Sequence, residues 1–245
     1  MNIVIDQGNT SVKIALLEED RLLHTFCFDS ITVADLQNIV QEYRPEKGIF
    51  CSVGQWDSAF TLYLNSSLSS FFELNSSLQL PLILNYKTPR TLGSDRIAAA
   101  VGAHQQKPDE NILVIDIGTA ITFDFIEKGG IYSGGNISPG PDLRFKSLHD
   151  YTHSLPLIDE NGDLPDSGYD TATAIRAGVI NGIVREIDSY IEEFKKKHNG
   201  FVFLTGGYSF YFESKLKNPI FADANLILKG LNEILNFQKN IKQTK

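Results

Sequence analysis

Two short aliphatic runs, NIVI at 2–5 and NILVI at 111–115, each stop abruptly at an Asp-x-Gly turn, Asp6-Gln7-Gly8 and Asp116-Ile117-Gly118. A run of this length, rich in β-branched residues and bounded by a turn, reads as a buried strand. Its recurrence constrains the chain more than either copy alone, because self-similarity at a distance implies a repeated structural unit. Each turn leads into a second strand-like stretch, with alternating Val12, Ile14 and Leu16 in one copy and Ile121, Phe123 and Phe125 in the other. A third run follows in each, LLHTFCF at 22–28 and IYSGG at 131–135.

The pattern then turns helical. Thr32-x-x-Asp35 is a capping signal ahead of Val33, Leu36, Val40 and Tyr43 at helical spacing, and the helix closes at Arg44-Pro45. In the second half, Ile175, Val179, Ile183, Ile187, Ile191 and Phe194 form one stripe, and Gly200 is the expected stop. The strands GIFCSVG and FVFLTGG come next, and DANLILKGLNEILNF near the end reads as an amphipathic helix. The fold class expected is α/β, as two duplicated domains with a cleft between them, 1–105 and 106–245, joined at the polar, proline-containing QQKPDE of 105–110. A length of 245 residues suits two modest domains.

The net charge of −8 speaks against nucleic acid or an anionic membrane surface as partner. No basic leader precedes Asp6 and no apolar run approaches the ~20 residues that span a bilayer, which predicts a soluble, cytoplasmic protein. Cys27 and Cys51 lie far apart in strand-like contexts and read as buried reduced thiols. His149 and His153 have the spacing of a zinc helix, but Asp150 stands where that motif has Glu and no third ligand is evident, so they read as solvent-facing. Walker A, dinucleotide-fingerprint and nucleophile-elbow patterns are absent.

Asp6-x-Gly8-Asn9-Thr10 and Asp116-x-Gly118-Thr119 sit where α/β sheets gather ligands, at the carboxyl-side ends of strands. Glycine lets backbone approach a phosphate chain, Asn or Thr supplies a hydrogen bond, and the paired carboxylates call for cations such as Mg²⁺ held through water. LGSDRIAAAVGAHQQ carries Ser94 as an expected N-cap, with Asp95 and Arg96 in the first helical turn. There Asp95 could orient an alcohol and accept its proton while Arg96 grips a carboxylate; a charge-complemented helix start explains the same residues. SGGNISPG at 133–140 reads as a shaped loop rather than a strand throughout, and FLTGG at 203–207 as a glycine-ended strand where a base or ribose could rest.

DQGNTSVKI at 6–14, YKTPRTLGSDR at 86–96, DIGTAITFD at 116–124, GGNISPG at 134–140, DTATAIRAG at 170–178 and LTGG at 204–207 occur in that order. Together they resemble the type III pantothenate kinases, of the superfamily that includes sugar kinases, actin and the heat-shock chaperone ATPases. The resemblance spans nearly the whole chain. It implies ribonuclease H-like (actin-like ATPase) domains and ATP-dependent phosphorylation of pantothenate, the first committed step towards coenzyme A. It also implies that Asp95 is the catalytic base and that Tyr86, Gly93, Ser94 and Arg96 form the pantothenate pocket. Asp6, Gln7, Gly8, Asn9, Thr10, Ser11, Val12 and Lys13 match the first phosphate loop, with Asp6 on Mg²⁺ through water, and Thr119 matches a nucleotide contact. Asp116 matches the ligand of a monovalent cation, K⁺ or NH₄⁺. Thr171 matches a pantothenate contact that resembles those supplied by a neighbouring subunit, which implies a homodimer. A non-catalytic actin-like regulatory module and a superfamily phosphatase stay open as other readings of the same fold.

Overall fold

The computed structural model describes residues 1–54, 56–75 and 77–243, with the side chains of 239–243 left aside. It divides into two compact units, Met1–Asp109 with Ile126–Ser133 and Asn225–Lys245, and Glu110–Phe125 with Gly134–Ala224.

The first unit opens with strands β1 (Asn2–Gln7), β2 (Val12–Glu18) and β3 (Arg21–Phe28), then helix α1 (Val33–Tyr43), β4 (Lys47–Ser52), α2 (Ser58–Ser67) and β5 (Ser70–Glu73). The sheet order is β3-β2-β1-β4-β5, with β1 antiparallel to β2 and parallel to β4, and β4 parallel to β5. Thr32 and Asp35 make the reciprocal capping box at the start of α1, and Arg44 ends the helix in the left-handed conformation. Ile3, Ile5, Ile14 and Leu16 on one sheet face pack with Leu36 and Val40 of α1 and Phe60 and Leu64 of α2. Cys51 is buried, but Cys27 is exposed, contrary to the sequence reading. It lies on the edge strand β3, where Phe26 and Phe28 take the inner positions and alternation turns residue 27 to solvent.

After the short β6 (Ile83–Leu84) and a 3₁₀ turn at Pro89–Thr91 comes α3 (Ser94–Gln106). Its N-cap is Gly93, not Ser94, which is already helical.

The second unit repeats this plan. Its strands β7 (Ile112–Ile117), β8 (Ala120–Glu127) and β9 (Ile131–Pro139) precede α4 (Pro141–Asp150), α5 (Thr171–His198), β10 (Phe201–Thr205), α6 (Ser209–Glu213) and β11 (Phe221–Ala222). The order β11-β10-β7-β8-β9 matches β5-β4-β1-β2-β3 strand for strand, with β10 parallel to both β7 and β11. β6 borders β9 through Ile83–Ile131 and Leu84–Tyr132, and this stretch of the hairpin, 126–133, counts with the first unit. β9 runs through SGGNISP as a strand, where the sequence suggested a loop. Its pairing with β6 ends at Tyr132, which leaves 134–139 on a sheet edge where glycine and proline are tolerated.

All six stripe residues of α5 are buried against Leu113, Ile115, Phe123 and Leu204. Each such side chain contributes ~1.5–3 kcal/mol by leaving water. Asp170 caps the start of α5, and Asn199, one residue before the expected Gly200, supplies the left-handed stop.

The chain closes with α7 (Leu226–Gln243), which returns to the first unit and packs on α3 and β1. Gly102 and Gly230 permit this crossing, since a Cβ on Gly230 would stand 1.8 Å from the Ala98 carbonyl oxygen and one on Gly102 2.3 Å from that of Leu226.

Candidate active site

In the first unit, strand register brings the candidate residues together. Asp6 lies opposite Lys13 on β2 and beside Cys51 on β4, and Gln7 lies opposite Val12 and beside Ser52. The turn between β1 and β2 is closed by the Gly8 amide donating to the Ser11 carbonyl at 3.0 Å, which leaves Asn9 and Thr10 exposed at its tip. The Cys51 thiol donates to Asp6 Oδ1 at 3.4 Å. Ser52 Oγ donates to Gln7 Oε1 at 3.1 Å.

The start of α3 reaches the same place. Ser94 Oγ donates to the Ser52 carbonyl at 3.4 Å. Asp95 Oδ1 accepts from the Arg96 amide at 2.8 Å, and Arg96 itself is buried. Gly93 leaves room for this carboxylate, since a Cβ there would stand 2.4 Å from Asp95 Oδ1 and displace it. Tyr86 is half-buried and meets Tyr132 edge-on, with ring centroids 6.0 Å apart.

Burial sets the electrostatics. It raises the Asp6 carboxyl to about 6, against the opposing pull of the Cys51 thiol and the Lys13 charge, while the Asp95 carboxylate pushes the same way as burial. Asp95 is also raised, chiefly by burial, which the Arg96 amide and guanidinium offset in part. The Cys51 thiol is held well above its ordinary value by burial and then by the charges of Asp6 and Asp95, so it stays protonated and donates.

In the second unit, three glycine-containing segments converge on the Asp116 turn. Gly118 donates its amide to the Ala120 carbonyl at 2.9 Å, and Gly140, which follows β9, donates to the Thr119 carbonyl at 2.9 Å. Thr205 at the end of β10 pairs with Asp116, and the Tyr208 amide donates to the Ile117 carbonyl at 3.0 Å. Gly206 has φ +94°, and a Cβ there would stand 2.3 Å from Asp116 Oδ1. Only glycine fits a left-handed backbone pressed this closely on a carboxylate. Residues 116–119, 140 and 205–208 thus form one cradle of turns.

Thr171 begins α5 and is exposed, beside a groove of about 530 Å³ lined mainly by Leu148, Leu155, Ile175 and Val179. His149 Nδ1 lies 2.9 Å from the Leu155 carbonyl, and both His149 and His153 are exposed. Among the described residues no group of three or more His, Cys, Asp or Glu side chains is arranged to hold a metal.

Sequence reasoning missed the role of Cys51 and Ser52. The available signal was their position at the end of a strand of the same length as β1, which parallel pairing sets level with Asp6 and Gln7.

The sequence profile of the type III pantothenate kinases matches residues 2–193. The chain belongs to the type III pantothenate kinase family. A type III pantothenate kinase from Azobacteroides pseudotrichonymphae is 53% identical over 245 residues, covering 100% of both chains. Among solved structures, a Campylobacter jejuni protein described as a candidate Baf family transcriptional activator superposes with a TM-score of 0.63 at 22% identity, covering 97% of this chain and 99% of that one. A glucokinase from an Antarctic psychrotroph gives a TM-score of 0.52 at 11% identity, covering 96% and 98%. At such identities these structures speak to fold alone, and the kinase has the actin-like ATPase and sugar-kinase fold. No helix among the described residues of the kinase is long and apolar enough to cross a membrane.

Proposed function

We propose that this kinase transfers the γ-phosphoryl group of ATP to the terminal hydroxyl of pantothenate, the first committed step of coenzyme A synthesis, with Asp95 as the base. Membership of the family supports the reaction, and the junction of Asp6, Cys51, Ser94 and Asp95 supports the assignment of roles. The observation that carries it is Asp95 itself: a partly buried carboxylate in the first turn of a helix, its titration raised by burial and its oxygen held by the Arg96 amide.

The hydroxyl oxygen attacks the γ-phosphorus and the bond to the β,γ-bridging oxygen breaks. The hydroxyl proton passes to Asp95, and ADP leaves. Arg96 pairs with the pantothenate carboxylate, and Tyr86, Gly93 and Ser94 complete the pocket. The 6–13 turn, from Asp6 to Lys13, holds phosphate through its amides and Lys13, and Thr119 in the glycine cradle contacts the nucleotide.

The residues fit Mg²⁺ carried by ATP rather than caged by protein, since Asp6 is one partly buried carboxylate whose cost of ionisation a cation would relieve. Mg²⁺ held through water by Asp6 would neutralise phosphate charge, and a monovalent cation at Asp116, K⁺ or NH₄⁺, would do the same. Thr171 acts on the pantothenate of a second copy in a homodimer; the apolar groove beside it and the exposed Leu143 and Tyr151 suit a covering partner. The kinase works in the cytoplasm.

ADP release from ATP, measured with and without pantothenate and with Na⁺ in place of K⁺, tests this reading. The expected result is release that needs both pantothenate and K⁺. Phosphate release without an acceptor would indicate a phosphatase, and ATP binding with no release a regulatory module.

A further inference from the structure

We infer that Cys51 is a positioning residue for phosphoryl transfer, holding the Asp6 carboxylate in place through its thiol and linking it to the helix start that carries Asp95. The inference rests on the roles proposed above for Asp6 and Asp95. It goes beyond them in assigning work to the end of β4, which neither binds substrate nor carries charge.

The contacts form a chain across three segments. Parallel register sets Cys51 level with Asp6 and Ser52 level with Gln7. The thiol donates to Asp6 Oδ1 at 3.4 Å, and Ser52 Oγ donates to Gln7 Oε1 at 3.1 Å. From the other side, Ser94 Oγ donates to the Ser52 carbonyl at 3.4 Å, next to Cys51 in the chain. The end of β1, the end of β4 and the start of α3 are therefore held by side chains that meet at residues 51 and 52.

A thiol suits the position on two counts. Cys51 is fully buried, and its sulfur fills the space between strand and helix. Its hydrogen is a donor aimed at a partly buried carboxylate. Valine loses the donor and adds volume, alanine loses both donor and volume, and serine keeps the donor while losing volume. Together the variants separate packing from hydrogen bonding.

The test is steady-state kinetics of C51V and C51S with thermal melts of both. Loss of one hydrogen bond to a charged group predicts a fall of about tenfold or more in kcat/KM for ATP in C51V, and C51S within about threefold of the natural enzyme. C51V at wild-type activity, or C51S impaired as much as C51V, overturns the inference. If C51V does not fold, C51A takes its place, and C51A equal to C51S has the same consequence. A cycle with D6N shows whether the effect runs through Asp6: C51V is expected to add less than about twofold on a D6N background. Full additivity contradicts the inference. D6N with unchanged turnover would instead remove Asp6 from the proposed mechanism, a result distinct from a silent C51V.

Discussion

Asp6 and Asp95 come from a strand end and a helix start, and the charge of Asp95 adds to burial in lifting the Asp6 carboxyl to about 6. A carboxylate whose ionisation is opposed by burial and by a second charge costs the fold stability and suits chemistry that brings cations with it.

Asp6→Asn therefore has two opposite effects. The folded carboxyl titrates above the ordinary 3.8, so the folded state binds more protons than the unfolded one between about pH 4 and 6, and stability falls as pH rises through that window. Asparagine removes this term. At pH 7.5 the variant is expected to gain about 1–3 kcal/mol of stability while losing most of its turnover. Melting curves at pH 4 and 7.5 check it: the gain is present at 7.5 and absent at 4.

The rate should depend on pH with the opposite sign, rising with pH where the stability falls. Asp95 accepts a proton only when ionised, and burial raises its titration, so kcat/KM is expected to fall on the acid side at a higher pH than an ordinary carboxylate would give. An acid limb at the position of an ordinary carboxylate would show that no raised carboxylate serves as base.

Gly93→Ala tests the helix start. The new methyl would stand 2.4 Å from Asp95 Oδ1, so the carboxylate must move. A displacement of this size costs about a hundredfold in kcat. Circular dichroism and melting checks whether the loss exceeds any unfolding.

Gly206→Ala tests the second cradle. Its φ of +94° strains any side chain, and the Cβ meets Asp116 Oδ1 and the Ile117 carbonyl. We expect destabilisation of about 2–4 kcal/mol and a raised KM for ATP. An unaffected KM for ATP with the lowered stability would separate the turn from nucleotide binding.

How far the sequence reveals this site depends on the range of the interactions involved. The repeated strand and Asp-x-Gly turn is legible because burial and turn chemistry are local, and the matching strand orders of the two sheets follow from it. The α5 stripe is legible for the same reason. Three features are not. The edge position of β3 turns Cys27 outward, and only the sheet order shows which strand is the edge. Ser94 looks like a cap from its place before a helix, yet its hydroxyl goes to Ser52, 42 residues away in sequence, and Gly93 takes the cap because a side chain there would strike Asp95. The return of α7 depends on Gly230 meeting Ala98 and Gly102, a contact no spacing rule encodes.

The most direct measurement is ADP formation by Asp95→Asn at saturating ATP and pantothenate, with ATP binding and melting temperature measured alongside. A fall in turnover of about 10²–10⁴-fold in a folded protein that still binds ATP is the expected result for loss of the base. Turnover near that of the natural enzyme would contradict the mechanism at its centre.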